Sequence, residues 1–111
     1  MVASNQSGWQ PNANSLYTTP NLGTQVPTYS NYIANNAYNM YNSQNTFEIS
    51  PNDNLEVYLG DRWWETDLQQ SSYVWYPLVN RQLVHAPLWK PDASNARGYS
   101  VPSNKTFPLF P

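Results

Sequence analysis

The chain has 111 residues, the length of one ordinary domain, and its formal net charge is −2. Its five Lys and Arg residues are scattered, so no basic surface that could follow a phosphate backbone is expected and no nucleic acid partner is predicted. The chain has no cysteine and no apolar run of about 20 residues, which excludes disulfides, thiolate metal sites and a membrane partner.

The first third of the chain, residues 4–36, is rich in Asn, Ser, Thr, Tyr, Gly and Pro and shows no helical periodicity. Only the stretch "SGWQPNANSLYTT" alternates in a way that suits the end of a strand. The segment from Thr28 to Ser43 carries four tyrosines separated by asparagines, which favour turns and extended loops. We therefore predict an ordered aromatic loop there.

The middle of the chain has the pattern of antiparallel strands. "NTFEIS" and "LEVYLG" alternate apolar and polar residues across the turn "SPNDN", which is a hairpin signature. "SSYVWYPLV" is apolar on both faces, as in a strand packed on both sides, and a weaker fourth strand follows in "RQLVHA". The pattern predicts an all-β fold containing a four-stranded antiparallel meander, the repeated unit of a β-propeller. One such blade cannot bury both of its faces.

The chain ends in a segment where prolines alternate with isolated aromatic residues, which predicts irregular structure after Pro87. The residues after Met1 have neither the basic nor the apolar region of a signal peptide. Two glycosylation sequons, at Asn5 and Asn104, permit a secreted protein without indicating one, because an Asn-rich sequence produces such triplets by chance.

Four stretches taken in order carry a resemblance to a known family: "SGWQPN" from Ser7, "YNSQNTF" from Tyr41, "YLGDRW" from Tyr58 and "SSYVWYPL" from Ser71. They resemble the last part of glycoside hydrolase family 43, in the branch of galactan 1,3-β-galactosidases. The resemblance implies part of a five-bladed β-propeller, with residues 1–37 as the end of the penultimate blade plus the aromatic loop, 38–86 as the last blade and 87–111 as a Pro-rich irregular tail.

The same resemblance implies the residues of a sugar site. Gln44 matches a pocket-facing glutamine that positions or activates water, which for a neutral amide means orientation, with tautomer chemistry possible but unusual. The matching positions that line the sugar subsite are Ser7, Gly8, Trp9 and Asn12. No metal and no cofactor is expected, since the single histidine, His85, is more typical of a partly buried strand residue.

Structural alternatives stand beside these roles. Gln44 could bond the backbone of the preceding turn, and Trp9 could pack between blades as readily as stack on a sugar. We expect Asp61-Arg62-Trp63 to be a structural corner, with Trp63 capping the core and Trp64 exposed beside Glu65, where it could contact a more distant sugar unit.

Catalytic competence is not expected of this chain alone. Inverting hydrolysis needs two groups about 6.5 to 9.5 Å apart across the scissile bond. The family's general-acid glutamate precedes the motif that "SGWQPN" resembles, and only six residues precede Ser7. No pair among the available carboxyl groups has a natural claim to the two roles. These groups are Glu48, Asp53, Glu56, Asp61, Glu65, Asp67 and Asp92.

Three hypotheses follow. The first is a galactanase-like hydrolase fragment acting on β-1,3-galactan or a related plant cell-wall polysaccharide, with a missing N-terminal propeller segment as a partner and an extracellular location by resemblance. The second is a non-catalytic galactan-binding module that uses Trp9, Gln44 and Trp64. The third is a truncated structural remnant whose open sheet face pairs with other chains.

Overall fold

A computed structural model describes residues 1–4, 7–21, 23, 28–32, 39–80, 82–86 and 88–102, with backbone only for 28–32. Both sequons and the last nine residues of the predicted tail, 103–111, therefore lie outside the described residues. Within those ranges the fold is all-β, with no α-helix and one short 3-10 turn at Leu68–Gln70. The predicted fold class is confirmed.

Nine strands form three antiparallel sheets in the described part of the chain. The first sheet has the order β1-β2-β3, with β1 at Val2–Ser4, β2 at Asn14–Thr18 and β3 at Thr28–Tyr32. The second has the order β4-β5-β6-β7, with β4 at Gln44–Asn52, β5 at Leu55–Arg62, β6 at Ser72–Val79 and β7 at Gln82–Leu83. The third pairs β8 at Lys90–Pro91 with β9 at Tyr99–Ser100.

The second sheet is the predicted four-stranded meander. Its strands follow each other in chain order, and the predicted hairpin pairs Phe47 with Leu59 and Ile49 with Val57. The turn is an Asx turn, since the Asn52 side chain accepts a hydrogen bond from the Asn54 backbone at 3.0 Å. The weak fourth strand exists as β7, which is only two residues long.

Two segments differ from their predictions. Thr28–Tyr32, expected to be loop, forms β3 because it pairs with β2, a partner that its own sequence does not reveal. The segment expected to be irregular after Pro87 contains the β8–β9 hairpin, whose Trp89 and Tyr99 pack on the second sheet. His85 was expected to be partly buried in a strand, but it lies outside β7, is exposed and stacks on Tyr41 at 4.6 Å.

The main core lies on one face of the second sheet. Because side chains alternate along a strand, Tyr58 of β5 meets Val74, Tyr76 and Leu78 of β6 on this face. Leu83 of β7, Val2 of β1 and Met40 complete the cluster. The first sheet is therefore fastened to the second through β1, where Asn45 also donates its side-chain amide to the Val2 carbonyl at 3.2 Å.

The opposite face of the second sheet is covered only at one end. Leu55 and Val57 are buried under Tyr99 and the β8–β9 hairpin. At the other end Phe47 is 61% exposed, Tyr73 76% and Trp75 56%. The expectation that β6 is packed on both sides therefore holds for only part of the strand, and a broad apolar surface faces outward.

Tyr58 has no exposed surface, and its burial raises the pKa of its hydroxyl to about 12. Its hydroxyl lies 3.0 Å from Ser43 Oγ, and since Ser43 donates to the Met40 carbonyl at 2.6 Å, Tyr58 acts as the donor to Ser43. An unfolded tyrosine ionises near pH 10, so the unfolded state loses its proton first as the pH rises. The stability contributed by neutral Tyr58 is complete below pH 10 and is lost as the pH rises through about 12.

We expect the difference in unfolding free energy between the wild type and Tyr58→Phe to fall by about 2 to 3 kcal/mol between pH 10 and 12. Urea unfolding of both proteins at pH 9, 10, 11 and 12 measures it, with the Tyr58→Phe variant serving as the non-ionising reference. A difference that stays constant over this interval would show that the hydroxyl is not held neutral by burial.

Candidate functional site

The candidate site lies where β4 begins and β5 ends. Gln44 is the first residue of β4 and pairs with Asp61 near the end of β5. The turn at residues 7–10, from the chain between β1 and β2, lies over this end of the second sheet because the two sheets are fastened through β1. Gly8 and Gln44, which are 36 positions apart in the chain, are therefore in contact.

Gln44 is bonded at both ends of its amide. Its Nε2 donates to the Gly8 carbonyl at 2.8 Å and to the Gln10 carbonyl, and lies 3.3 Å from Ser7 Oγ. Its Oε1 accepts a hydrogen bond from the Trp63 indole at 3.0 Å. The structural alternative for Gln44 had it bonding the preceding turn, whereas these backbone partners belong to a distant one.

Ser7 and Asn12 form the other side of this network. Ser7 Oγ donates to the Gln10 carbonyl at 2.7 Å and accepts from Asn12 Nδ2 at 2.6 Å. Gln44 Nε2, whose two protons face the Gly8 and Gln10 carbonyls, also lies 3.3 Å from Ser7 Oγ, so the hydroxyl proton and at least one lone pair of Ser7 are used within the protein. The geometry therefore indicates that Ser7 shapes the 7–10 turn.

Gly8 and Trp9 form the exposed part of the turn. Gly8 has φ +60°, and a Cβ added there would meet no atom of the described residues within 4 Å. An open space above a glycine permits close approach of a ring. Trp9 contacts Trp63 edge to face at 5.0 Å, so its ring packs against another site residue while keeping 42% of its surface exposed.

The structure thus brings all five predicted site residues together in one cluster. Two further residues, Trp63 and Gln10, belong to the cluster without having been predicted as site residues. Trp63 was expected to cap the core; it is 39% exposed, and its indole donates to Gln44 Oε1. Gln10 accepts from Gln44 through its carbonyl and donates its side chain to Glu65 at 3.2 Å. The presence of Trp63 within the "YLGDRW" motif was the available signal.

The structural corner at residues 61–63 is formed by Arg62. Its guanidinium donates to the Tyr41 carbonyl at 2.7 Å, the Asn42 carbonyl at 3.3 Å and the Tyr76 hydroxyl at 3.1 Å. Met40, Tyr41 and Asn42 have φ between 50° and 63°, so this left-handed turn depends on an outside donor for its carbonyls. Trp64 is 59% exposed, as expected, and its indole donates to Thr66.

In the parts of the chain that the structure describes, no three His, Cys, Asp or Glu residues are placed to hold a metal ion. No helix among those residues is long and apolar enough to cross a bilayer. A cleft of about 740 Å³ lies at the opposite end of the β4–β5 hairpin, beside Asn54 and Arg97. It is distant from the candidate site.

Two carboxyl groups have surroundings that distinguish them from a freely solvated side chain. The Ser94 hydroxyl holds the pKa of Asp92 below its ordinary value, whereas a general acid needs a raised one. Glu48 is half-buried under β1, where its Oε2 accepts a hydrogen bond from the Val2 backbone at 3.4 Å. The lowered pKa of Asp92 therefore does not suit the role of a general acid.

Comparison with solved structures relates this geometry to known proteins. Two crystal structures of exo-β-1,3-galactanase from Phanerochaete chrysosporium, glutamate-to-alanine and glutamate-to-glutamine variants with β-1,3-galactotriose, each match 92% of this chain at 37% identity and a TM-score of 0.73. The chain spans 24% of their length. No protein-family model and no curated protein matches. The chain therefore has a glycoside hydrolase family 43-like fold, is part of a β-propeller, and is related to glycoside hydrolases that include an exo-β-1,3-galactanase.

Proposed function

We propose that this chain is the closing part of a galactanase-like glycoside hydrolase, comprising the end of the fourth blade and the fifth blade of a five-bladed propeller. Residues 1–37 would belong to the fourth blade, 38–86 to the fifth and 87–111 to a tail. The likeness to the galactanase over 92% of this chain supports this assignment. The four motifs in the same order, from "SGWQPN" to "SSYVWYPL", support it as well.

The sugar site in this proposal consists of Gly8, Trp9, Asn12 and Gln44, with Ser7 holding the turn. The observation that carries it is the contact of Gln44 with the 7–10 turn, because packing alone does not require a half-buried amide to bond two carbonyls of a turn distant in the chain. The proposed ligand is β-1,3-linked galactan, since the related galactanase is bound to β-1,3-galactotriose. A cell-wall polysaccharide lies outside cells, so the proposed location is extracellular.

Hydrolysis in this proposal depends on further propeller segments. Positioned acid catalysis is worth about 10² to 10⁴ in rate, and by the family resemblance the general-acid glutamate belongs to a segment that precedes the motif matched by "SGWQPN". The exposed face at Phe47, Tyr73 and Trp75 supports the presence of another sheet, since sheets pack about 10 Å apart through such faces. A cleft of about 280 Å³ between Leu59 and Trp75 lies on this face.

A second candidate function is galactan binding without hydrolysis. Trp9, Gln44 and Trp64 would be its contacts, and the exposure of both tryptophans favours it. Both candidate functions use Trp9 and Gln44 to bind galactan, but only the first includes hydrolysis of the sugar.

An NMR titration of the ¹⁵N-labelled chain with β-1,3-galactobiose tests the site. We expect shift changes at Gly8, Trp9 and Gln44, and an affinity at least about tenfold lower, or about 1.4 kcal/mol, for Gln44→Ala. The matched control is Gln69→Ala on the exposed 3-10 turn, which should bind as the wild type does. Absence of shift changes at the three residues would contradict the proposed site.

The same samples test turnover. Galactose release from β-1,3-galactan should be absent for this chain alone, because the general acid is absent from the proposed site. Hydrolysis by the isolated chain would contradict the dependence on further segments, and saturable binding without turnover in any longer form would favour the binding module.

A further inference from the structure

The hydrogen bonds that the Gln44 amide makes within the protein determine which of its atoms can still bind a ligand. An amide nitrogen carries two protons, and here three acceptors surround it: the carbonyls of Gly8 and Gln10 and the hydroxyl of Ser7. Both protons are therefore used within the protein. The oxygen has two lone pairs, of which Trp63 occupies one. The second lone pair of Oε1 therefore remains available to accept a hydrogen bond from a ligand.

The orientation of this amide depends on Trp63. A flipped amide would place Nε2 against the Trp63 N–H, a donor against a donor, and Oε1 against the carbonyls of Gly8 and Gln10. Hydrogen bonds that are lost without replacement at a half-buried site are costly. Without the Trp63 donor, the carbonyls would still favour one orientation, but Oε1 would have no fixed partner.

The network also favours one tautomer. An imidic acid form would remove a proton from Nε2 and leave a lone pair there, facing carbonyl oxygens that are themselves acceptors. The surrounding groups therefore hold Gln44 as the neutral amide. A neutral amide oxygen accepts a hydrogen bond without taking the proton, so it orients a donor and does not act as a strong base.

Trp63 is itself held in place. Its ring contacts Trp9 edge to face at 5.0 Å, and its backbone directly follows Arg62, which is bonded to the left-handed turn before Gln44. The indole N–H therefore approaches Gln44 from a fixed direction.

We propose that Trp63 is a positioning residue that holds Gln44 so that it can only accept a hydrogen bond from a ligand. Gln44 Oε1 accepts this bond from a water or from a galactose hydroxyl. The nature of this ligand rests on the proposed sugar site. The Trp63–Gln44 coupling is present in the chain without ligand, so it can be tested separately from sugar binding.

The test compares Trp63→Phe with Trp89→Phe in the ¹⁵N-labelled chain. Both substitutions keep an aromatic ring and remove one indole donor, but Trp89 donates to the Trp75 carbonyl at 2.8 Å, away from the site. Without ligand, we expect the Gln44 side-chain NH₂ pair to shift and its protons to exchange with water at least about fivefold faster in Trp63→Phe only. An unchanged Gln44 pair in a folded Trp63→Phe protein would overturn the proposal.

The reciprocal variant keeps the test decisive if Trp63→Phe does not fold. In Gln44→Ala the Trp63 indole proton should move upfield while that of Trp89 stays in place, and an unmoved Trp63 proton would overturn the coupling. With β-1,3-galactobiose added, we expect about tenfold weaker binding for Trp63→Phe and unchanged binding for Trp89→Phe. If the Gln44 side-chain signals change in Trp63→Phe but the wild type does not bind β-1,3-galactobiose, the Trp63–Gln44 coupling stands and the proposed sugar ligand is overturned.

Discussion

Gly98→Ala is expected to lower the unfolding free energy by about 2 to 5 kcal/mol, from backbone strain of about 1 to 2 kcal/mol and overpacking of about 1 to 3 kcal/mol. Gly98 has φ +74°, and an added Cβ would lie 2.7 Å from Leu55 Cβ and 2.9 Å from the Asn54 carbonyl carbon. Neither can move easily, because Leu55 is buried and Asn54 belongs to the β4–β5 turn. Moving Gly98 would also break the bond from Asn52 Nδ2 to its carbonyl.

Urea unfolding of Gly98→Ala beside Gly23→Ala separates the two contributions. Gly23 has φ +87°, and no atom of the described residues lies within 4 Å of an added Cβ, so its variant should lose only the conformational part, about 1 to 2 kcal/mol. Equal losses in the two variants would show that the β8–β9 hairpin is not held tightly on the second sheet.

Leu83→Ala is expected to cost about 2 to 5 kcal/mol, the range for deleting a fully buried leucine side chain. Leu83 has no exposed surface and lies in the core cluster with Tyr58, Tyr76 and Leu78. Its strand, β7, has only two residues and two paired positions, so side-chain packing must hold it more than its backbone hydrogen bonds do. The total stability of a small domain is about 5 to 15 kcal/mol, so this loss takes up a large part of it.

The control for this substitution is Leu68→Ala on the 3-10 turn, where the side chain is 49% exposed, and its cost should stay within about 0.5 kcal/mol. Thermal unfolding followed by near-ultraviolet circular dichroism reports both. A loss for Leu83→Ala as small as that for Leu68→Ala would mean that β7 contributes little to the core.

The second sheet could be predicted from the sequence because its signals are local. An apolar and polar alternation with a period of two, and an Asx turn between two such runs, specify a hairpin within about 15 residues. Strand β3 carried no such signal, since its sequence, "TYSNY", has no alternation of apolar and polar residues and its asparagine favours turns. Its pairing with β2 is therefore a tertiary result. The same holds for β8 and β9, which are too short to show a period.

For the candidate site too, some features could be predicted from the sequence and others only from the structure. By its motifs, the sequence alone determined a family resemblance and five residues to examine, together with an all-β meander from its alternation. Only the tertiary structure decided that Trp63 bonds Gln44, that the hydroxyl of Ser7 contacts Gln10, Asn12 and Gln44, and that one end of a sheet face stays open. The physical reason is that a hydrogen bond depends on distance and direction in space, which the packing of the first sheet on the second sets and which no local pattern encodes.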